Sequence, residues 1–130
     1  MTGIQKLNKI LQVLLSNPIV EETTVDDWIV RRYANGKAEA FYTYTPTLSA
    51  INTQKGSMYC GANATRALPA GIFTKIYQVT TTFTHGGTGP SGVGIRSYDT
   101  TAIVWYVWAA TSWASGQKAT IGFRVEGTWK

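Results

Sequence analysis

The sequence predicts a mainly β protein, in which an antiparallel, jelly-roll-like β-sandwich carries one short N-terminal α-helix and assembles as a trimer. About seven short β-branched and aromatic segments, separated by turn residues, follow one another from residue 28 of the 130-residue chain. Asn35-Gly36 stands between two such segments, as expected for a β-hairpin. An apolar seam at helical spacing precedes them, and its regularity indicates helices packed around a symmetry axis.

The helix is predicted over residues 3–16, GIQKLNKILQVLLS. Its apolar seam repeats at spacings of three, four and three residues, which is the heptad pattern of a coiled coil. The seam residues are Ile4, Leu7, Leu11 and Leu14. Other apolar residues widen the stripe, which favours three or more helices, or a helix that also rests on the β body. Asn17-Pro18 ends the helix, because the residue before a proline is disfavoured in the α region.

A helix of this length is marginal in water, so it does not hold an assembly together unaided. We therefore expect the β body to supply most of the trimer interface, with Trp28, Trp105 and Trp108 acting alongside the helical seam. One alternative is an amphipathic helix packed on its own sheet. A weaker one is a helix on a membrane surface, since only Lys6 and Lys9 are basic.

Composition divides the chain into three parts. Residues 1–18 form the coiled-coil or attachment helix, residues 19–27 an acidic, threonine-rich linker, and residues 28–130 the β-sandwich head. The formal net charge is +5, and the head carries most of the basic residues. A basic body can favour nucleic acid, but Arg31-Arg32 is the densest basic spot. Scattered positive charge on strands is more typical of solubility and edge protection, so no nucleic-acid partner is expected.

The Asn35-Gly36 hairpin also predicts a register. A two-residue type I′ turn, with positive φ at both central residues, places Arg32 opposite Glu39 as a cross-strand ion pair. One face of the hairpin then carries Trp28, Val30 and Phe41, and the other carries Ile29, Tyr33 and Tyr42. Large apolar groups on both faces are expected if one face meets the core and the other meets a neighbouring subunit.

Further strands are predicted from β-branched and aromatic runs. They cover residues 57–61, 72–83, 94–98, 102–110 and 119–129. Residues 102–110, AIVWYVWAA, are apolar on both faces, which indicates a central or interface strand. Residues 119–129 alternate between apolar and polar, as in a strand with one buried face. HGGTGPSG, residues 85–92, is predicted to be a flexible loop.

Several classes of protein are excluded on sequence. Cys60 is the only cysteine, so no intrachain disulfide is possible. Polar residues interrupt the N-terminal apolar run, which does not resemble a signal peptide. No stretch approaches the ~18 apolar residues of a membrane span, so membrane insertion is not expected. His/Cys clusters for metal ligation are missing, and neither a metal nor a cofactor is expected.

No catalytic constellation can be assembled, and the chain is predicted not to be an enzyme. His85 is the only histidine, and no spacing joins it to a nucleophile and an orienting acid. Aromatic residues are abundant, however, and in loops they can stack on sugar rings. A set of loop and turn residues combines aromatic and polar groups and is predicted to bind a saccharide. Its members are His85, Arg96, Tyr98, Asp99 and Trp113.

The hairpin WIVRRYANGKAEAFYTY resembles a recurrent segment of bacteriophage tail-fibre and receptor-binding proteins from Gram-positive hosts. The matching positions are Trp28, Arg31, Arg32, Tyr33, Asn35, Gly36, Ala38, Glu39 and Phe41. The C-terminal strand that begins at Phe123 also looks like the family's closing strand, with Thr128 in place of its usual arginine. Leu68-Pro69 fits the opening of the family's middle strand. The resemblance covers about residues 20–130 and includes no catalytic signature.

This resemblance implies a homotrimeric head on a helical stalk, made in the host cytoplasm and carried on the virion. It also implies binding of host cell-wall polysaccharide or another surface glycan without catalysis, and attachment to other virion proteins through the N-terminal helix. Two alternatives remain open at this point. One is a structural capsid or collar fibre without a glycan ligand, and the other is a small polysaccharide-degrading enzyme.

Overall fold

The computed structural model describes residues 2–15, 17–87 and 89–130, with the backbone alone for residues 13–15. The side chain of Leu14, a predicted seam residue, therefore lies outside the described part. One helix, α1 (Gly3–Leu15), precedes ten strands. The strands are β1 (Ile19–Val25), β2 (Trp28–Tyr33), β3 (Lys37–Tyr44), β4 (Thr53–Lys55), β5 (Met58–Cys60), β6 (Ala64–Ala67), β7 (Lys75–Thr84), β8 (Ser91–Tyr98), β9 (Ala102–Ala109) and β10 (Thr120–Thr128).

The strands form two packed antiparallel sheets, which confirms the predicted β-sandwich. The first sheet has the order β1-β2-β3-β10-β7. In the second sheet, β4-β5-β9-β6 are connected in that order, and β8 pairs with the other edge of β9. β5 pairs with the last residues of β9 and β6 with its first residues, so the two short strands share one edge of β9. The segment Gly61–Asn63 separates the two short strands along this edge.

The core lies between the two sheets and is built from the inward positions of alternating strands. Its ring contacts include Trp105 of the second sheet and Phe123 of the first, with centroids 5.9 Å apart. Trp28 and Trp105 were expected at the trimer interface, but they are only 1% and 6% exposed within one chain. That prediction is wrong for both, because their rings fill the intramolecular core. Trp108 is half-buried on the outer face of β9 and stays an interface candidate.

Helix α1 begins with a capping box at Thr2. The hydroxyl of Thr2 accepts the backbone N–H of Gln5 at 3.2 Å, and the Gln5 side chain accepts the backbone N–H of Thr2 at 2.8 Å. The described apolar side chains of α1 lie in water: Ile4, Leu7, Ile10 and Leu11 are 74%, 56%, 56% and 46% exposed. Within the described residues, α1 makes no substantial contact with a strand. The alternative of a helix resting on its own sheet is therefore wrong.

Residues 19–27 were predicted to be a linker, but they form strand β1 and a turn. β1 pairs with β2 at the edge of the first sheet. Glu21 lies 2.7 Å from Arg32, and Glu22 lies 3.0 Å from Arg31, so acidic β1 neutralises basic β2. The sequence did not indicate this strand, because its polar residues face solvent at the edge of the sheet, where alternation of apolar and polar residues is not required.

The type I′ turn lies at Asp26-Asp27 and not at Asn35-Gly36. Asp26 and Asp27 have φ of 50° and 67°, and they connect β1 to β2 with Val25 opposite Trp28. The β2–β3 loop instead has three residues, with Gly36 at φ 93° and its N–H bonded to the Tyr33 carbonyl. A three-residue loop of this kind ends in a positive-φ residue, which glycine adopts readily.

The extra loop residue shifts the β2–β3 register by one position. Arg31, and not Arg32, faces Glu39, so the predicted Arg32–Glu39 ion pair is wrong. Val30 faces Ala40 on the buried side, whereas Phe41 faces Ile29 on the outer side. The predicted grouping of Trp28, Val30 and Phe41 on one face is therefore wrong, because a one-residue slip exchanges the two faces of a strand.

The remaining predicted strands are present, with shifted ends. β5, β7, β8, β9 and β10 correspond to the five apolar runs, and β9 is a central strand paired on both edges. β4 and β6 were not predicted, since each is short and polar. Ser91 and Gly92, which were placed in the flexible loop, open β8. No helix in the described part of the chain is long and apolar enough to cross a membrane.

The segment that follows α1 and the C-terminal residues meet at the β2–β3 loop. Asn17, at φ 55°, accepts the backbone N–H of Asn35 on its side-chain oxygen at 2.9 Å, and the Pro18 carbonyl accepts the Ala34 N–H. From the other terminus, the Trp129 backbone N–H donates to the Gly36 carbonyl, and its indole N–H donates to the Tyr33 carbonyl, both at 2.9 Å. The exit from α1 and the C-terminal residues are thus fixed to one loop.

Candidate ligand-binding site

His85 and Trp113 lie together, as predicted, with stacked rings 4.2 Å apart. The Gly87 N–H donates to the His85 Nδ1 atom at 3.0 Å, and the His85 Nε2 atom lies 3.3 Å from the Gln117 side-chain oxygen. Phe83 extends the stack on β7. These contacts fix the loop after β7 to the loop between β9 and β10, which is a structural role for both predicted residues.

Tyr98 and Asp99 lie at the opposite end of β8, roughly 24 Å away at 3.4 Å per residue. One Asp99 carboxylate oxygen accepts three hydrogen bonds, from the Thr101 N–H, the Thr101 hydroxyl and the Ala102 N–H. These bonds hold the pKa of Asp99 below its usual value, the Thr101 hydroxyl being the largest cause. Asp99 therefore closes the β8–β9 turn. The prediction of one cluster containing His85, Arg96, Tyr98, Asp99 and Trp113 is wrong.

Arg96 faces a cavity on the outer side of the second sheet, which we call the outer cavity. It measures about 630 Å³. Its lining residues are Thr53, Lys55, Cys60, Gly61, Ala62, Asn63, Arg96 and Tyr106. The cavity arises at the gap between β5 and β6, where Gly61–Asn63 connects the two strands and only the Gly61 N–H bonds back to β9, at the Val107 carbonyl.

Two aromatic rings of β9 lie across glycines of β8 beside this cavity. Gly94 faces Tyr106 and Gly92 faces Trp108. A β-carbon on Gly92 would lie 2.7 Å from Cζ2 of Trp108, and one on Gly94 would overlap the Tyr106 ring. The rings can fold onto the backbone of β8 only because both positions lack a side chain. The result is a half-buried aromatic surface, with Tyr106 in the cavity wall.

The outer cavity is cationic. Lys55 and Arg96 are exposed, and neither forms an ion pair with an acid in the described part of the chain. None of the lining residues is acidic. Asn63 and Thr53 add an amide and a hydroxyl, which donate and accept hydrogen bonds. An aromatic wall with unpaired cations and neutral polar groups is suited to holding a polar ligand with flat apolar faces.

A second cavity, the inner cavity, lies on the other side of Gly61–Asn63 and measures about 340 Å³. Arg66 and Trp105 are among its lining residues. Nε of Arg66 and Nε1 of Trp105 are buried and have no hydrogen-bond acceptor among the described residues. The Arg66 guanidinium also lies 4.3 Å from the Tyr44 ring centroid and 4.6 Å from that of Tyr42. Both atoms are hydrogen-bond donors buried behind the cavity wall, so a molecule in the cavity does not reach them directly, and the guanidinium of Arg66 contributes a positive charge to the wall.

The outer face of the first sheet has a groove of about 330 Å³, whose lining includes three threonines together with Phe41 and Arg124. Nearby, Glu39 is 4% exposed. Burial raises the pKa of Glu39. The hydrogen bonds from Lys37, Tyr33 and Arg124 together lower it by more than burial raises it, so the pKa of Glu39 lies below its usual value. Burial, followed by the hydrogen bond to Glu39, raises the pKa of Tyr33. This cluster stabilises the sheet.

No pair of carboxylates flanks any of these cavities. Asp99 lies in the β8–β9 turn, and Glu126 is bound by Arg124 at 2.9 Å on the other sheet. Glycoside hydrolysis usually needs two carboxyl groups facing one scissile bond, so the arrangement of these two acids does not support that alternative. Among the described residues, no group of three or more His, Cys, Asp or Glu could hold a metal ion.

Lys55, Asn63 and Tyr106 were missed by the sequence reasoning. Lys55 and Asn63 lie in segments whose polar composition indicates loops. Tyr106 has a detectable signal, because Gly92-Val93-Gly94 in one strand and Tyr106-Val107-Trp108 in the next have matching alternation. Glycines that alternate opposite alternating aromatics indicate rings lying over a neighbouring strand.

Comparison with solved structures places the fold. The chain superimposes with a TM-score of 0.55 on the structure of an N-truncated R1-type pyocin tail fibre, covering 98% of this chain and 97% of that one at 14% identity. The fold resembles that of a pyocin tail fibre. The chain also matches a P. aeruginosa R1 pyocin fibre fragment with the same TM-score and identity, covering 98% of this chain and 32% of the fragment.

At this identity the likeness to the pyocin fibre shows the fold alone. It agrees with the tail-fibre part of the resemblance seen in the sequence, whereas the Gram-positive part receives no support from a P. aeruginosa fibre. No protein-family model matches the chain, and no curated protein matches its sequence.

Proposed function

We propose that this chain is a non-enzymatic fibre or receptor-binding protein of a phage or phage-like tail, which binds a host surface glycan. The observation that carries the proposal is the outer cavity, where the Tyr106 ring lies over Gly94 and polar side chains surround it. Aromatic faces with neighbouring hydrogen-bonding groups match the alternating apolar and hydroxyl surfaces of a sugar. The tail-fibre fold supports the same setting.

The proposed assembly is a homotrimer whose axis runs along the N-terminal helices. Ile4, Leu7 and Leu11 expose their side chains on α1 at heptad spacing, and burying them against two copies removes apolar surface from water. Trp108, half-buried on β9, is the remaining candidate from the body. Threefold symmetry presents three identical cavities, and multivalency then raises a weak affinity per site on a repetitive polymer.

In this proposal the protein is carried on the virion, and α1 contacts other virion proteins. A structural fibre of the capsid or collar would share the fold and the trimer. It would differ in showing no glycan binding, which makes the two functions separable by experiment.

Cell binding tests the function. Fluorescently labelled protein is incubated with whole cells and with cells stripped of surface polysaccharide, and the bound fraction is measured across a panel of Gram-positive and Gram-negative hosts. Saturable binding to one host that disappears after stripping is expected. Tyr106→Ala should reduce this binding. Tyr77→Ala, which removes an exposed tyrosine on the first sheet, serves as its control. Binding to no host, together with a blank glycan array, would favour the purely structural fibre.

Light scattering tests the trimer. The unmodified protein is expected to have three times the mass of the chain at micromolar concentration. Leu11→Ser should weaken the assembly, because it removes an apolar side chain from the seam, whereas its neighbour Gln12→Ser should not. A monomer in the unmodified protein would refute the proposed assembly.

A further inference from the structure

We propose that the outer cavity selects a saccharide that carries negative charge, as carboxylate or phosphate groups. This inference rests on the proposed function, because it identifies the class of glycan that the fibre binds. It adds a prediction that glycan binding alone does not make: neutral saccharides of the same length bind more weakly. The first argument for it is the charge balance of the site.

Every charged group that lines the outer cavity is a cation. Lys55 extends from β4 and Arg96 from β8, so the charges come from two strands on either side of β9. Some basic residues of this chain pair with a carboxylate on an adjacent strand: Arg31 with Glu22, and Arg32 with Glu21. Lys55 and Arg96 have no such partner in the described part of the chain. An anionic ligand would supply the missing counter-charges.

The inner cavity extends the same preference. Arg66 lines it, and the unpaired Nε atoms of Arg66 and Trp105 are both hydrogen-bond donors. No acidic residue lines this cavity either. The charge of Arg66 therefore favours an anion in this cavity, whereas the two buried Nε atoms are not accessible from it. The two cavities share the segment Gly61–Asn63, which lies between their cationic groups.

The same features argue against nucleic acid as the occupant. A nucleic-acid backbone carries one phosphate per nucleotide and is typically tracked by a row of basic residues. Here the cations are few and converge on one concave site. The ring of Tyr106 is folded onto Gly94, where one sugar face can cover it. A saccharide ring that covers Tyr106 and carries an acidic group near Lys55 and Arg96 matches this compact arrangement better than a long charged backbone.

Three saccharide polymers of matched length test the inference: oligogalacturonate, a phosphorylated dextran and neutral dextran. Binding to the full chain is measured by calorimetry at low and physiological salt. At least one acidic polymer is expected to bind about tenfold or more tightly than dextran, and to weaken as salt screens the charges. Comparison of the carboxylate polymer with the phosphate polymer identifies the source of the charge.

Variants locate the binding. Lys55→Ala combined with Arg96→Ala is expected to weaken the acidic polymer about tenfold or more, because two charge-assisted contacts are lost. Tyr106→Ala should weaken acidic and neutral polymers alike. Lys75→Ala, an exposed lysine on the first sheet, is the matched control and should change affinity less than about twofold. Thermal unfolding of each variant checks that the fold is retained.

Three results would overturn the inference. One is that neither acidic polymer binds more tightly than dextran, and another is that the double variant binds like the unmodified protein. The third is that single-stranded DNA of equal length binds as tightly and with the same sensitivity to the double variant. If host cells bind the protein but the double variant binds them equally well, the glycan function stands and only its charge selectivity fails. If no host binds, the proposed function itself fails.

Discussion

Glu39 and Glu126 face one another directly across strands β3 and β10, and one arginine holds both carboxylates. Nη2 of Arg124 lies 3.2 Å from Oε1 of Glu39, and its Nε lies 2.9 Å from Oε1 of Glu126. Lys37 and Tyr33 complete the set around Glu39, at 3.1 and 2.9 Å. Two like charges opposite one another destabilise a sheet, so this pairing depends on its cations.

Arg124→Met should therefore lower the free energy of unfolding by about 1–3 kcal/mol, since buried Glu39 loses one of its donors and faces Glu126 without the cation that they share. Arg31→Met is the matched control. Both guanidinium groups lie over the Phe41 ring, at 5.4 and 5.2 Å, but the Arg31 pair with Glu22 is exposed and should cost less than about 1 kcal/mol. Urea unfolding measures both. Equal losses in the free energy of unfolding would show that the two arginines stabilise the fold only through their contacts with the Phe41 ring.

Acid should destabilise the sheet through Glu39. Its pKa is lower in the folded chain than in the unfolded chain, so the unfolded state binds more protons as pH falls. The stabilisation is fully present above the ordinary carboxyl pKa of about 4.3 and is lost as pH falls through the lower folded value. Urea unfolding from pH 7 to pH 2.5 should show a shallower decline for Glu39→Gln. Parallel declines would assign the acid sensitivity to other groups.

The two positive-φ turns predict substitutions of opposite sign. Asp27→Gly should raise the free energy of unfolding by about 0.5–1 kcal/mol, because glycine adopts the left-handed conformation at φ 67° without steric cost. Gly36→Ala should lower it by about 1–2 kcal/mol, since its φ is 93° and a β-carbon would lie 3.2 Å from Cγ of Lys130. Thermal unfolding compares them. Destabilisation by Asp27→Gly would contradict the assigned turn type.

Gly127 lies at an irregularity in the β10–β7 ladder, where the register shifts between Glu126 and Gly127. A β-carbon there would overlap the Lys75 carbonyl and lie 3.0 Å from Cα of Ile76, and backbone atoms cannot move aside as a side chain does. Gly127→Ala should therefore cost about 2–4 kcal/mol. Gly86→Ala, whose β-carbon would meet nothing within 4 Å, should cost less than about 0.5 kcal/mol. A tolerated Gly127→Ala would show that β7 can shift.

The predictable parts of the fold are those whose sequence pattern follows from burial. β10 alternates because one face meets the core, and α1 shows a seam because its apolar residues repeat at helical spacing. β1 could not be predicted, because an exposed edge strand is stabilised by partner hydrogen bonds and by ion pairs with β2. The predicted β2–β3 register was wrong by one residue, because Asn-Gly suits both a two-residue and a three-residue loop.

The site was predictable only in part. Arg96 was identified as a ligand residue, and it lines the outer cavity. His85 and Trp113 were correctly placed near each other, whereas Tyr98 and Asp99 are a whole strand away. The cavity itself depends on β5 and β6 sharing one edge of β9, which is a long-range arrangement. Residue types near one another in the chain carry no information about such a gap.

The β2–β3 loop fixes both the segment after α1 and Trp129, and this has a mechanical consequence. Tension applied to α1 enters through Asn17 and Pro18, beside the loop that also receives Trp129. The load then runs along β1, whose ladder bonds to β2 lie perpendicular to the strand axis. Bonds in this orientation are sheared together and do not open one at a time. The β1–β2 ladder should thus resist tension along the axis of β1 better than tension perpendicular to it.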